Sequence, residues 1–315
     1  QREKYALKTL SHPLHPKVAK DMLSWHLFKQ RYVQIFSTKG PFGDTVYKID
    51  VEKKTPEEEK KLRQILAIVP SVDCIYKGLL SRIQVDDPSK YTVVSVKFSC
   101  SVVEQHVLSA GFGFREMKYL DSVADESGRK REVINIKDEV QVIKRGLYGR
   151  KPPKVYILEN PHSVFGIVTP LEDIAWLCNQ NPGSLIVVDE QLIDFHRSAL
   201  EDTALNLVKT GKYNNLVVIS SFSYWASMKA NGPGYCFSSN ATLIRGLVHE
   251  FPPGGATGAT VFNFLSAYCC LQYKYESNVG KNILDVRSQR SDLYQFIAEE
   301  VRQEYHKISL FERTK

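Results

Sequence analysis

The chain has 315 residues, 43% hydrophobic, 24% charged and 11% aromatic, with 42 Lys+Arg against 35 Asp+Glu. That ordinary globular composition excludes collagen, a coiled coil, a disordered tail and a disulfide-stapled miniprotein, and the length allows one large α/β domain with or without a smaller companion. No apolar run approaches the roughly 18–20 residues of a membrane span, and the opening Gln-Arg-Glu-Lys carries no signal-peptide pattern, so residue 1 is read as a processing site or the edge of a larger chain.

Residues 16–32 have Pro at the first helical position and apolar residues at helical spacing, which predicts a helix. A second helix is expected from about 55 to 69, opened by Thr-Pro-Glu-Glu-Glu, whose acids favour a helix N-terminus. TVVSVKF (92–98) is β-branched and reads as a strand, VVEQHVLSAG (102–111) as a short helix ending on Gly, and FREMKYLD (114–121) as a strand. KVYILEN (154–160), SLIVVDE (184–190) and NLVVISS (215–221) are nearly continuous apolar runs, the mark of strands covered on both faces. LEDIAWLCNQ (171–180) and RSALEDTALNLVKTG (197–211) are read as the helices between them. From about 240 the pattern becomes helical, ending in a long stretch from about 281 to 307.

This alternation predicts a three-layer α/β/α architecture around a mainly parallel sheet with right-handed crossovers. The division expected is an N-terminal helical segment over 1–50, a large α/β domain over 51–240, and a helical C-terminal part over 241–315. Ligands in such sheets sit beyond the carboxyl ends of the strands. Three of those ends carry chemistry: Asn160-Pro161, Asp189-Glu190 and Ser221-Phe222-Ser223.

Six cysteines show no CxxC, and no His lies at zinc-ligand spacing from them, so no metal is expected. Most sit among apolar neighbours, as buried thiols of a reducing, intracellular compartment do. PPGGATGAT (252–260) lacks the Gly-Lys-Ser/Thr ending of a phosphate-binding loop and reads as a helix start after a proline turn. No G-x-S-x-G elbow anchors a hydrolase triad.

The three strand ends, in their order and spacing, resemble the large domain of fold-type I pyridoxal-phosphate enzymes, and the histidinol-phosphate aminotransferase-like branch in particular. NPHSVFG (160–166), the helix LEDIAWL, VVDEQLIDF (187–195) and VVISSFSYW (217–225) stand where that family has NPNNPTG, a helix, VVDEAYxxF and a strand leading into SLSK or SFSK. LSHPLHPKVAKDML (10–23) and ATLIRGLVHEFPPGGATGATVFNFLSAY (241–268) extend the similarity in both directions. The resemblance implies the pyridoxal-phosphate transferase large-domain fold. It also implies that Asp189 stands where a carboxylate would protonate the cofactor's ring nitrogen. Asn160 falls near its phenolic oxygen and Ser223 just before the Schiff-base lysine.

The departures from the family matter because the lysine carries the chemistry. Its position is Tyr224, which cannot form an imine. The family's phosphate-binding arginine falls on Gly232, the tyrosine of DEAY on Leu192, and the phosphate cup GSDE on Ser71-Val72-Asp73-Cys74. The C-terminal small domain, which supplies the family's substrate-carboxylate arginine, is expected to be incomplete and helical. Lys229, five residues past Tyr224, is the substitute amine if the loop is shifted. No cofactor is therefore expected, with Asp189, Asn160 and Ser223 as remnants, and pyridoxal phosphate only if the alternative below holds.

The excess charge is local. Between Ser127 and Lys154 lie nine basic residues against three acids. Arg129, Lys130, Arg131, Lys144, Arg145, Arg150 and Lys151 are the candidate contacts to nucleic acid or a partner, with Tyr148 interleaved. The expectation is a non-catalytic aminotransferase-fold subunit of a larger assembly, structural or assembly-assisting. It would dock on proteins and, through 127–154, on RNA, as in a ribonucleoprotein such as a mitochondrial ribosome or its assembly intermediate. A mitochondrial matrix setting fits the basic charge; membrane insertion is not expected, and the altered pocket places the family-type homodimer in doubt. The alternative is a divergent pyridoxal-phosphate aminotransferase or decarboxylase acting on an amino acid or amino-phosphate.

Overall fold

Proline at a helix start and apolar residues at helical spacing produce the first element, α1 (Pro16–Leu27), which continues as a π-helical turn over Phe28–Val33. The computed structural model describes residues 16–33, 38–39, 45–46, 55–97, 101–118, 120–124, 130–145, 153–196, 198–224, 226, 228, 232–251, 263–264 and 266–267. Two short strands, β1 (Thr38–Lys39) and β2 (Thr45–Val46), pair with each other.

Helix α2 (Pro56–Ile65) starts on a capping box: Glu58 N–H donates to Thr55 Oγ1 at 3.2 Å while Thr55 N–H donates back to the Glu58 carboxylate. Such a box satisfies two of the orphan donors at a helix start. The helix expected to reach 69 stops at Ile65. Leu66–Val69 turns extended as β3, its four residues buried against a strand from the far end of the chain. Tertiary pairing outweighs the helical start because β-branched Ile68 and Val69 pack better on a sheet.

Next come α3 (Val72–Ser81), β4 (Thr92–Val96), α4 (Ser101–Ser109) and β5 (Gly113–Met117). Between α4 and β5 the chain turns through Gly111, at φ +82°, where a side chain would be strained. The single strand expected over 114–121 is two elements. β5 ends at Met117, and β6 (Leu120–Ala124) pairs with β7 (Lys130–Ile134) in a separate hairpin. Lys130 and Arg131, expected in an exposed turn, therefore belong to a strand. Helix α5 (Ile136–Arg145) follows, an element the basic composition of 127–154 concealed.

β8 (Val155–Glu159), α6 (Leu171–Gln180) and β9 (Leu185–Asp189) stand where the sequence placed them. The long helix expected over 197–211 is broken into α7 (Ala199–Asp202) and α8 (Leu205–Lys209). The break falls at Thr203–Ala204, where a buried carboxylate captures the Thr203 hydroxyl and the Ala204 N–H. β10 (Leu216–Ser221), β11 (Gly234–Phe237) and α9 (Ala241–Glu250) complete the described elements. Residues 252–260, read as a helix start, and the stretch 281–307 lie outside the described residues, as do most of the expected C-terminal part and residues 1–15.

The main sheet runs β3-β11-β10-β9-β8-β4-β5. β5, β4, β8, β9 and β10 are parallel, and β11 is antiparallel to both β10 and β3. Alternation along each strand feeds two cores. Val94, Tyr156, Leu158, Ile186, Val188 and Val218 pack on one face with residues of α1, α5, α6 and α8. Val93, Ile157, Val187, Val217 and Ile219 pack on the other with α3, α4 and α9. Each such side chain contributes roughly 1.5–3 kcal/mol when fully buried. This is the three-layer, mainly parallel architecture expected. Segment 16–33 is seated by stacked rings: Trp25 on Phe28, Phe28 on Tyr32, and Tyr32 on Phe237 of β11. Among the described residues, no helix is long and apolar enough to cross a membrane.

Candidate functional site

The parallel strands end together, and their carboxyl ends bring distant polar residues into one buried layer. Glu159 closes β8, Asn160 follows it, Asp189 closes β9 and Glu190 follows that; all four are buried. The register places Glu159 opposite Asp189.

Asp189 is enclosed by three donors. The Tyr76 hydroxyl of α3 donates to its Oδ2 at 2.8 Å and the Gln191 side-chain amide to the same oxygen at 3.0 Å. The Gln191 backbone N–H donates to Oδ1 at 3.1 Å. Burial pushes the carboxyl up to about 6 against these bonds, and the neighbouring Glu159 charge adds to the rise. Burial likewise raises Glu190 to about 7, opposed by its own donors and by Arg31. Those donors are the Thr203 hydroxyl at 2.5 Å, the Ala204 N–H at 2.6 Å and the Asn160 amide at 3.1 Å.

Asn160 is spent on the fold. Its amide donates to Glu190 and to the Asp202 carbonyl, and its oxygen accepts the Thr169 N–H at 2.9 Å. His162, also buried, turns the following loop. Its Nδ1 accepts the N–H groups of Val164 and Phe165, and Nε2 lies 2.8 Å from the Lys97 carbonyl. Ser223 is half-buried, and its N–H donates to Ser221 Oγ, which donates to Gln191 Oε1 at 2.9 Å. Tyr224 is 52% exposed. Lys229 lies outside the described residues. Leu192 is half-buried and precedes the 3-10 turn Ile193–Phe195.

Two glycines define close approaches. A Cβ on Gly232 would lie 2.5–2.8 Å from the backbone of Phe222 and Ser223, so position 232 takes no larger side chain without moving that loop. A Cβ on Gly234 would lie 2.6–2.7 Å from the Ser71–Val72 peptide, which packs the start of α3 against β11. There the Ser71 side chain accepts the Cys74 N–H as helix cap. Asp73 is 3.0 Å from His106 Nε2, and the His106 ring stacks on Tyr76 at 6.1 Å.

Sequence reasoning named Asp189, Asn160 and Ser223, and the structure brings them to one edge of the sheet. It named Glu190 only as part of the strand end Asp189-Glu190, and it missed Tyr76, Gln191 and His106. Gln191 lies two residues past Asp189 and could have been included on that ground. Nothing in the spacing marks Tyr76 or His106.

The basic segment is only partly described. Lys144 and Arg145 form the last turn of α5, where cations complement the helix dipole. Lys144 Nζ donates to the Gln180 carbonyl at 3.4 Å, Lys137 pairs with Asp173 at 2.8 Å, and Lys154 lies over the Tyr91 ring at 5.2 Å. These three basic residues are engaged within the chain. Arg129, Arg150 and Lys151 lie outside the described residues. Among the described residues, no group of three or more His, Cys, Asp or Glu is arranged to hold a metal ion.

Residues 104–249 match the family model for aminotransferase class I and II. The chain is 30% identical over 115 residues to histidinol-phosphate aminotransferase 2 of Rhizobium meliloti (strain 1021), covering 35% of this chain and 31% of that protein. It is 25% identical over 149 residues to histidinol-phosphate aminotransferase of Francisella philomiragia, covering 46% and 38%. The chain thus spans about a third of the length of these curated relatives. The crystal structure of histidinol-phosphate aminotransferase from Sinorhizobium meliloti in complex with pyridoxal-5'-phosphate superposes with a TM-score of 0.59 at 15% identity, covering 93% of this chain and 64% of that one. The pyridoxal-phosphate-bound C-S lyase from Staphylococcus hominis gives 0.58 at 15% identity, covering 89% and 60%. The fold is that of pyridoxal-phosphate-dependent transferases.

Proposed function

We propose, starting from a chain that belongs with the fold-type I pyridoxal-phosphate aminotransferases in sequence and fold, that it works without the cofactor as a structural or assembly subunit of a larger complex. The observation that carries this is Tyr224, directly after Ser223, where the family's lysine forms its imine. A phenol cannot make that bond.

The surrounding residues fit the cofactor no better. The Ser71 hydroxyl is used to cap Cys74, and Val72 opens the helix where the family's phosphate cup stands. Gly232, at the arginine position, has no room for a larger side chain. Asp189 already receives three donors from the chain. A fold that keeps its core and lacks its chemistry serves through its surface. The sequence concentrates its basic excess in segment 127–154, and RNA of a ribonucleoprotein, as in a mitochondrial ribosome or its assembly intermediate, is the partner that charge suits. The free thiols of Cys74, Cys178 and Cys236 suit a reducing compartment.

One observation favours a second reading. Asp189 and Asn160 stand on adjacent strand ends, and the named relatives are aminotransferases, which suits a divergent pyridoxal-phosphate enzyme using Lys229. Purified protein mixed with pyridoxal phosphate separates the two. The cofactor-free reading expects no visible imine band and no lysine trapped by borohydride; a trapped Lys229 overturns it. Native pulldown with and without nuclease addresses the assembly role, which requires co-purifying subunits. Recovery as a lone monomer free of nucleic acid counts against it.

A further inference from the structure

At the centre of the site, a chain of contacts joins four elements. Asp73 of α3 holds His106 of α4, His106 stacks on Tyr76 of α3, Tyr76 bonds Asp189 at the end of β9, and Gln191 passes the contact to Ser221 of β10. Ser221 in turn accepts the Ser223 N–H, one residue before Tyr224. Tyr76 and Asp189 are both buried, so the hydroxyl and the carboxylate solvate each other in place of water.

A buried carboxylate at a strand end needs donors whatever else the site does, because leaving it bare forfeits its hydration without return. In this chain an aromatic residue of α3 supplies one from a fixed ring position. Its stacking partner His106 is anchored from the same helix through Asp73, so the ring is held at one face by His106 and at its hydroxyl by Asp189. We propose that Tyr76 is an internal ligand of Asp189: a hydroxyl supplied by the chain where an outside group could otherwise bind, which clamps the start of α3 to the carboxyl end of β9. The clamp rests on the proposal that the chain works without a cofactor. Asp189 then serves the fold, its carboxylate oxygens met by the chain's own donors.

The test compares Tyr76→Phe, Asp189→Asn and the double variant in the full chain by melting temperature, with hydrogen exchange of α3 as a local readout. Hydrogen bonds to a charged acceptor are about twice as strong as neutral ones. Tyr76→Phe should therefore lower the melting temperature of the parent by about twice as much as it lowers that of the Asp189→Asn variant. Equal losses in the two backgrounds overturn the clamp. Where Tyr76→Phe yields no folded protein, Asp189→Asn alone decides. The amides of Cys74–Lys77 should exchange at least several-fold faster than in the parent while those of β3 stay unchanged, and unchanged exchange in α3 overturns the clamp. Parent protein incubated with pyridoxal phosphate and borohydride keeps the two ideas apart. Trapped lysine sinks the cofactor-free reading, whereas an untrapped chain with unaltered α3 exchange in the variants sinks the clamp alone.

Discussion

The two ends of the same parallel sheet are built from different chemistry. At the amino end, apart from half-buried charges such as Lys154 over the Tyr91 ring, the groups that join the loops are neutral. Asn215 donates to the carbonyls of Cys178, Asn181 and Ser184, the Ser184 hydroxyl to the Pro153 carbonyl, and Ser238 to the Leu216 carbonyl. At the carboxyl end Glu159, Asp189, Glu190 and Asp194 are buried, with Arg31 bound to Asp194. Neutral amides and hydroxyls join loops at little desolvation cost. Buried carboxylates cost several kcal/mol unless their lone pairs are met by donors. The amino end is thus joined mainly through neutral groups, and the carboxyl end through carboxylates met by donors of the chain.

The sharpest way to break this contrast is Glu190→Ala. It removes the acceptor shared by the Thr203 hydroxyl, the Ala204 N–H and the Asn160 amide, and should destabilise the chain by about 3–5 kcal/mol. Urea unfolding that places the variant within about 1 kcal/mol of the parent would mean that the network is not cooperative.

The charge asymmetry itself predicts a pH dependence. Asp189 and Glu190 are raised from ordinary values of 3.8 and 4.5 to about 6 and about 7, chiefly by burial. Between about pH 4 and pH 7 the folded chain therefore holds more protons at these groups than the unfolded chain, so their contribution to stability falls as pH rises through that window. A carboxyl raised by one pH unit loses about 1.4 kcal/mol across its window, so the loss amounts to about 3 kcal/mol for each group at most. Glu190→Gln keeps the shape, and the Thr203 hydroxyl can turn to accept. That variant should match the parent near pH 4 and exceed it near pH 8. A chemical-denaturation series with parallel slopes for parent and variant would remove Glu190 from the explanation.

At the amino end, Asn215→Ala should cost only about 1 kcal/mol, with no change in the pH profile, because water can reach a half-buried position and no charge is involved. A loss as large as that of Glu190→Ala would erase the distinction between the two ends.

Much of this architecture was legible in the sequence. The runs at 155–158, 185–188 and 216–219 are apolar because both faces of those strands are covered, and that burial pattern is local. Asn160 and Asp189 were legible for the same reason: each lies where such a run gives way to polar residues. The helix boundary at Ile65 and the break at Thr203 were not. β3 exists because β11 pairs with it, and α7 and α8 separate because Glu190 takes the Thr203 hydroxyl and the Ala204 N–H. In each case a partner distant along the chain outweighs a local helical propensity worth tenths of a kcal/mol per residue.

By itself, then, the sequence determined the parallel core and the strand ends that bear polar residues, since each is written in neighbouring residues. Only the tertiary structure decided what those polar residues hold. Tyr76 reaches Asp189 across 113 positions, and Arg31 reaches Asp194 across 163. Hydrophobic periodicity reports which face of an element is buried, whereas the partner of a buried charge depends on the path of the whole chain.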